Sequence, residues 1–460
     1  MNDMSTTTET GLTMRLAHTI SEFAHSDVTE QSLREAERAF IDTIAVAIAA
    51  ADDETVTTLV RALDTGAAAG PARSLVGTPS RQAAQAALVN GTACHALDFD
   101  DMTEQIQGHP SAVLVPAALA VGDEVDASGL QALEAYLVGY HVEHLLGSAL
   151  DGPAHYALGW HATSTLGVMG AAAAAAYLYQ LDPVRTANAL AIAGTMSGGS
   201  RQNFGTMTKP LHAGLAASHG IEAAKLAREG FTASDVQLEA PYGFLDLFSA
   251  DSDLSRADTV REPLHDLGEH RLSVKKYPAC YSTHRTIDAV LAVGPVDVDA
   301  IESIVVTMQP AGLEPLIHHR PTTGLQGKFS IEYTVAASLL DGGLTLPSFE
   351  DDAVNRPQVQ ALLRKITPTE SDVPPVGPAE WTTGYACVAI LLRDGRTLTS
   401  RCDQPRGHAT DPLSDDEVHE KFVDCVEFAT GESSEALLAA LDTLRKLDHV
   451  RDLPLPSARS

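Results

Sequence analysis

Four short segments of this 460-residue chain gather the residue types that move protons and hold anions. The first is His95-Ala-Leu-Asp98-Phe-Asp100-Asp101, followed by Gly108-His109-Pro110-Ser111, which sets three carboxylates between two histidines. Crowded carboxylates raise one another's pKa and histidine titrates near neutrality, so the segment could supply an acid/base pair. The plainer alternative is that Asp100 and Asp101 cap a turn and His95 is a satisfied core group. The second segment, His155-Tyr156 through Gly159-Trp160-His161-Ala-Thr163-Ser164, precedes an alanine-rich helix. Thr163 or Ser164 could cap that helix, whose free N–H groups would seat a carboxylate, while Tyr156 or His161 moves a proton; an aromatic helix connection can equally be packing. In the third, Gly205 to Gly214, Lys209 and His212 are three residues apart and could share one helical face, with Pro210 tolerated in the first turn. The fourth, Lys275-Lys276-Tyr-Pro-Ala-Cys280-Tyr-Ser-Thr-His284, offers two lysines, and a desolvated lysine can act as a base with a lowered pKa. Its alternative is an exposed strand end carrying solubilising charge.

Other chemistries find less support. The Asp and His spacings match no metal-site motif, so no metal is expected. Nucleotide-binding loops and a G-x-S-x-G elbow are absent. Cys94, Cys280, Cys387, Cys402 and Cys425 are scattered, which suggests reduced thiols rather than disulfides or a zinc ribbon, and the four-residue spacing of Cys280 and His284 does not establish a nucleophile.

A net charge of -30 argues against nucleic acid or an anionic membrane as partner. The same field repels anionic substrates, so an acid-binding pocket must build a local positive patch. Lysine is scarce: the first is Lys209, followed by Lys225, Lys275, Lys276, Lys328, Lys365, Lys421 and Lys446. The apolar runs fall short of the ~20 residues that span a bilayer. The polar, acidic N-terminus carries no leader pattern, and the expectation is a cytoplasmic protein.

Apolar stripes at three- and four-residue steps predict packed helices from about Ser32 to Glu229, among them Ala84–Ala96, Leu130–Leu150, Thr165–Tyr179, Pro183–Gly194 and Leu211–Glu229. From Leu267 the LSVKKY and IESIVVTM runs predict strands. Tyr385–Leu392, the Asp394-Gly395 turn and Arg396–Arg401 predict a hairpin. Helices return over Asp415–Phe428 and Ser433–Leu447.

Taken together, HALDFDD, GHPS, GWHATSTLG, NFGTMTKPLHAG, KKYPACYSTH and GKFSIEY resemble the MmgE/PrpD family over nearly the whole chain. The family includes 2-methylcitrate dehydratases, cis-aconitate decarboxylases and iminodisuccinate epimerases. The resemblance implies a mostly α fold: a large helical domain of residues 1–266 plus 403–460, and a smaller α+β domain of residues 267–402. It also implies a homodimer, no cofactor, and a site between the domains. Asp98, His109, His161, Lys209 and Lys275 carry over from the decarboxylase-like pattern, and Tyr156 with Lys275 from the epimerase-like one. Met102 stands where decarboxylase-like members carry threonine, whereas the TKPLH segment sits closer to the decarboxylase and epimerase branches. The expected activity is that of a lyase abstracting a proton beside a carboxylate of a small di- or tricarboxylic acid. Dehydration of the 2-methylcitrate type leads, with decarboxylation or epimerisation as alternatives. Asp98, His109, Tyr156, His161 and Lys275 are the expected catalytic groups; Lys209, His212, Thr163, Ser164 and Lys276 are the expected substrate ligands. A silent carboxylate-binding protein is the rival from another class.

Overall fold

The computed structural model describes residues 11–63, 69–249, 272–431 and 433–455. Its principal helices are α1 Glu30–Ala49, α2 Ala83–Ala96, α3 Ser111–Val125, α4 Gly129–Leu150, α5 Gly167–Leu178, α6 Pro183–Thr195, α7 Thr208–Arg228, α8 His284–Val293, α9 Ile331–Asp341 and α10 Asp415–Thr430. Capping residues set several boundaries: Thr29 starts α1, Asp182 starts α6, and capping boxes at Ser128 and Ser414 start α4 and α10. No helix among the described residues is long and apolar enough to cross a membrane.

Alanine is what lets these helices crowd together. The α2 and α5 faces bury Ala83, Ala86, Ala87, Ala93 and Ala171 to Ala176, and the small side chains permit close crossing. Where α7 crosses α2 even a methyl would not fit, because a Cβ on Gly214 would lie 2.3 Å from both the Leu88 carbonyl oxygen and Thr92 Oγ1. This contact brings the first turn of α7, with Lys209 and His212, beside the C-terminal end of α2. One large core joins these helices and takes in Leu413, Val418, Phe422 and Cys425 from the C-terminal part of the chain.

A second core forms around a four-stranded sheet of β1 Ile301–Met308, β2 Ile366–Glu370, β3 Ala386–Leu392 and β4 Thr397–Cys402. Its order is β2-β1-β3-β4, with β1 parallel to β2 and the other pairs antiparallel. The predicted hairpin is β3–β4, and Gly395 at its turn has φ +88°. Architecture is thus mostly α with a smaller α+β part. The boundary proposed at 266/267 lies outside the described residues, and Leu272 and Val274, just beyond it, pack in the large core; the division into residues 1–266 plus 403–460 and 267–402 stays a proposal.

Three local expectations fail. LSVKKY forms no strand: Leu272 to Lys275 are all buried, so there is no alternating solvent face, and only Ser273 makes a ladder contact, with Met102. The predicted helix from Thr165 is broken at Leu166, between Ala162–Thr165 and α5. The helix predicted over Ser433–Leu447 is confined to Glu435–Leu441.

Candidate functional site

Between the two cores lies a cavity of about 660 Å³. The helical side contributes Asp98, Met102, Glu104, His109, Tyr156, His161, Phe204 and Lys209; the sheet side contributes Cys280, Tyr281, Arg285, Gln309 and Phe329.

At its base the chain leaves α2 and turns sharply. Asp98 is in the left-handed region with φ +53°, unusual for a residue other than glycine, and this turns its carboxylate towards two lysines. Lys209 Nζ lies 2.9 Å and Lys275 Nζ 2.7 Å from the same oxygen, Asp98 Oδ1. Oδ2 is buried with no hydrogen-bond partner among the described residues. Burial opposes ionisation of Asp98, but the two lysines outweigh it and hold the carboxyl well below its usual range.

Lys275 is fully buried behind Asp98 and is absent from the cavity lining. The lowered pKa expected of a desolvated lysine base is therefore corrected. Burial does pull it down, but Asp98, 2.7 Å away, and Asp100, 3.9 Å away, raise it above the ordinary lysine value. It is a cation that holds Asp98.

Asp100 organises two histidines. His95 Nδ1 lies 2.7 Å from Asp100 Oδ2, and His109 Nδ1 lies 2.8 Å from the Asp101 carbonyl and 3.3 Å from Asp100 Oδ2. A carbonyl can only accept, so His109 carries its proton on Nδ1. Burial lowers both histidines, His95 to about 3, leaving neutral rings whose Nε2 lone pairs are free to accept. The remaining acid of the cluster, Asp101, is pushed up to about 8 by burial despite the Ser111 hydroxyl, and is protonated at neutral pH.

His161 is held well below its usual pKa, first by burial and then by His95 and Lys209. Its Nδ1 meets His212 Nδ1 at 3.1 Å, so one ring donates and the other accepts, and its buried Nε2 has no hydrogen-bond partner among the described residues. When His161 is the donor, Nε2 is a base; when His212 is, Nε2 carries a proton towards the site. His212 thus supports His161 and does not line the cavity. Tyr156 lines it with Arg201 stacked 3.5 Å from the ring centroid, and burial raises the phenol above its ordinary value, so it stays protonated as a donor.

Three other expected ligands lie elsewhere. The Thr163 hydroxyl accepts the His109 N–H at 3.1 Å, and Ser164 packs against Gly199. Neither caps α5, whose N-cap is Leu166 without a side-chain bond. Lys276 is exposed and faces a different cleft, lined by Phe99, Leu346 and Glu420. Arg285 and Glu104, joined at 2.9 Å, line the cavity but escaped the sequence reading. The signal for Arg285 was its position one residue beyond the KKYPACYSTH segment.

Among the described residues two groups could gather a metal ion, His95 with His109 and His161 and His95 with Asp98 and Asp100, the donor atoms of each lying within 4.8 Å of one another; in the second, Asp98 already bears on Lys209 and Lys275. Lys209 already lowers His95 and His161 through its charge, and a divalent ion would meet that same repulsion. The donor set suits an anionic ligand better.

The N-terminal domain of the MmgE/PrpD family matches residues 14–257, and its C-terminal domain matches residues 277–446. Curated relatives carry one activity in their names. Cis-aconitate decarboxylase of Homo sapiens is 33% identical over 380 residues, covering 79% of this chain and 77% of its own; that of Mus musculus is 33% identical over 381, covering 79% and 76%. Cis-aconitate decarboxylase of Aspergillus terreus is 25% identical over 478 residues, covering 97% and 96%.

Proposed function

Because this chain belongs to the MmgE/PrpD family, we propose that it is a lyase that decarboxylates a small unsaturated tricarboxylic acid of the cis-aconitate type. The observation that carries this reading is the convergence of Lys209 and Arg285, cations from opposite cores, on a cavity also lined by His109 and His161. Two cations can anchor two carboxylates of such a substrate while the third is lost. The C–CO2 bond breaks, CO2 leaves, and the electron pair remains on carbon, delocalised into the adjacent unsaturated carboxylate. A proton from His161 Nε2 or the Tyr156 hydroxyl then adds to that carbon and is replaced from solvent. Asp98, fixed by Lys275, holds Lys209 in place, and His109 Nε2 accepts.

The decarboxylase names of the relatives at 25–33% identity shift weight towards decarboxylation and away from the dehydration that led the sequence reading. A homodimer and a cytoplasmic location belong to the same proposal. Light scattering should give about twice the 48.5 kDa chain mass. The substrate is tested by an NMR screen in deuterated water against cis-aconitate, 2-methylcitrate, citrate and iminodisuccinate. Loss of CO2 from cis-aconitate with deuterium on the product carbon is expected. Turnover of 2-methylcitrate alone would return the assignment to dehydration, and binding without turnover would make the protein a carboxylate sensor.

A further inference from the structure

Three lysines far apart in the sequence meet three consecutive carbonyl oxygens where α2 ends. Lys328 Nζ donates to the Leu97 carbonyl at 2.5 Å, Lys275 Nζ to Asp98 at 3.0 Å, and Lys421 Nζ to Phe99 at 2.8 Å. They come from three separate places: the turn that follows Gly324–Gly327, the segment before Tyr277, and α10. All three are buried, with relative exposures of 5%, 0% and 7%. Lys421 also donates to the Lys275 carbonyl at 2.9 Å and pairs with buried Asp42 at 2.6 Å, so two of the three donors are linked directly.

The carbonyls at a helix C-terminus lack intrahelical partners and attract cations. Here they carry an added demand. A left-handed turn is usually given to glycine, but glycine has no carboxylate, and at this turn the side chain is the one that bears on Lys209. Something outside the turn must therefore hold Asp98 in that conformation. Lys328 and Lys421 do not line the cavity, so any effect they have on chemistry passes through Asp98.

We propose that Lys328 and Lys421 are positioning residues that, with Lys275, clamp the Leu97–Phe99 backbone and so aim the Asp98 carboxylate at Lys209. Because Lys328 extends from the sheet-side core and Lys421 from α10, the clamp also makes Asp98 geometry depend on how the parts of the chain dock. Burial, which draws Lys328 down to about 8, is consistent with a side chain that donates to a backbone carbonyl rather than to a carboxylate among the described residues.

The test uses the full-length Lys328→Met variant, which keeps the side-chain bulk and removes the donor. A crystal structure should show Asp98 leaving positive φ and separating from Lys209, and kcat should fall at least tenfold with KM within threefold. Should Lys328→Met not fold, Lys421→Met paired with Asp42→Leu removes donor and counter-charge together and carries the same test. The kinetic arm rests on the proposed lyase reading; the crystallographic arm does not. Asp98 remaining at positive φ with its Lys209 contact intact would overturn the clamp, whatever the substrate proves to be.

Discussion

Asp98 Oδ1 is shared by two lysines, and removing either leaves a buried carboxylate under-compensated. Loss of one partner of a buried pair typically costs about 3–5 kcal/mol, so Lys209→Met should lower kcat/KM by at least about a hundredfold in steady-state assays while the protein still melts cooperatively. The buried histidines make a second prediction. His95, His161 and His284 all have folded pKa values below the unfolded value near 6.5, because burial disfavours their charged forms. Below that pH the unfolded chain takes up protons that the folded chain refuses, so stability is lost as pH falls through about 6.5. Asp101, raised to about 8, works in the opposite direction over the same range, as do Glu143 and Asp42, also raised by burial, but His109, His155 and His212 are lowered alongside the first three histidines and the histidines outnumber the acids. Thermal melts at steps between pH 6.5 and 4.5 should show Tm falling; a Tm level or rising down to pH 5 would contradict the assignment of neutral rings. Of the groups at this scale, Asp98, His109, Tyr156, His161 and Lys209 were legible, because each stands in a segment that concentrates polar residues between Ala-rich helices. Lys328 and Lys421 were not. Their partners at this turn are backbone carbonyls, which leave no mark in a sequence, and Lys421 follows His419 and Glu420 in a run that reads as a solvated helix face.

At the scale of elements, the contact of α7 with α2 places Lys209 and His212 beside His95. Gly214→Ala forces a methyl against the Leu88 carbonyl and Thr92, and overpacking of this kind typically costs about 1–3 kcal/mol. The variant should show a lowered Tm together with reduced turnover, since the helix that must shift is the one bearing Lys209; a lowered Tm with unchanged kcat would show that the site tolerates the displacement. Helix existence was readable from apolar stripes, and IESIVVTM coincides with β1. LSVKKY misled because β-branched and apolar residues mark burial as well as strands. Leu272 to Lys275 are buried, the Lys275 side chain engages Asp98 and its carbonyl engages Lys421, so the segment has little left for a ladder.

Across the whole molecule, a charge of -30 surrounds the cavity proposed to receive a carboxylate. Salt screens the long-range field over a Debye length of about 10 Å at 0.1 M, while Lys209 and Arg285 act at contact distance. Raising ionic strength from about 10 to 150 mM should therefore increase kcat/KM for a tricarboxylate, roughly twofold to tenfold, in initial-rate assays. A decrease would mean that the local cations already dominate the approach. The arrangement of two cores around one cavity followed from the resemblance rather than from composition, which indicated only a large acidic protein. The pairing of Arg285 with Glu104 is a contact between residues 181 positions apart and could be seen only in three dimensions.

The central claim is that this cavity removes CO2 from a cis-aconitate-type acid with Lys209 bound to Asp98. Its most direct test is the stoichiometry of CO2 released from cis-aconitate by the wild-type protein and by Lys209→Met. The account predicts one CO2 per substrate consumed by the wild type and at least a hundredfold slower release by the folded variant. Consumption of cis-aconitate without CO2, or an undiminished rate in the variant, would contradict it.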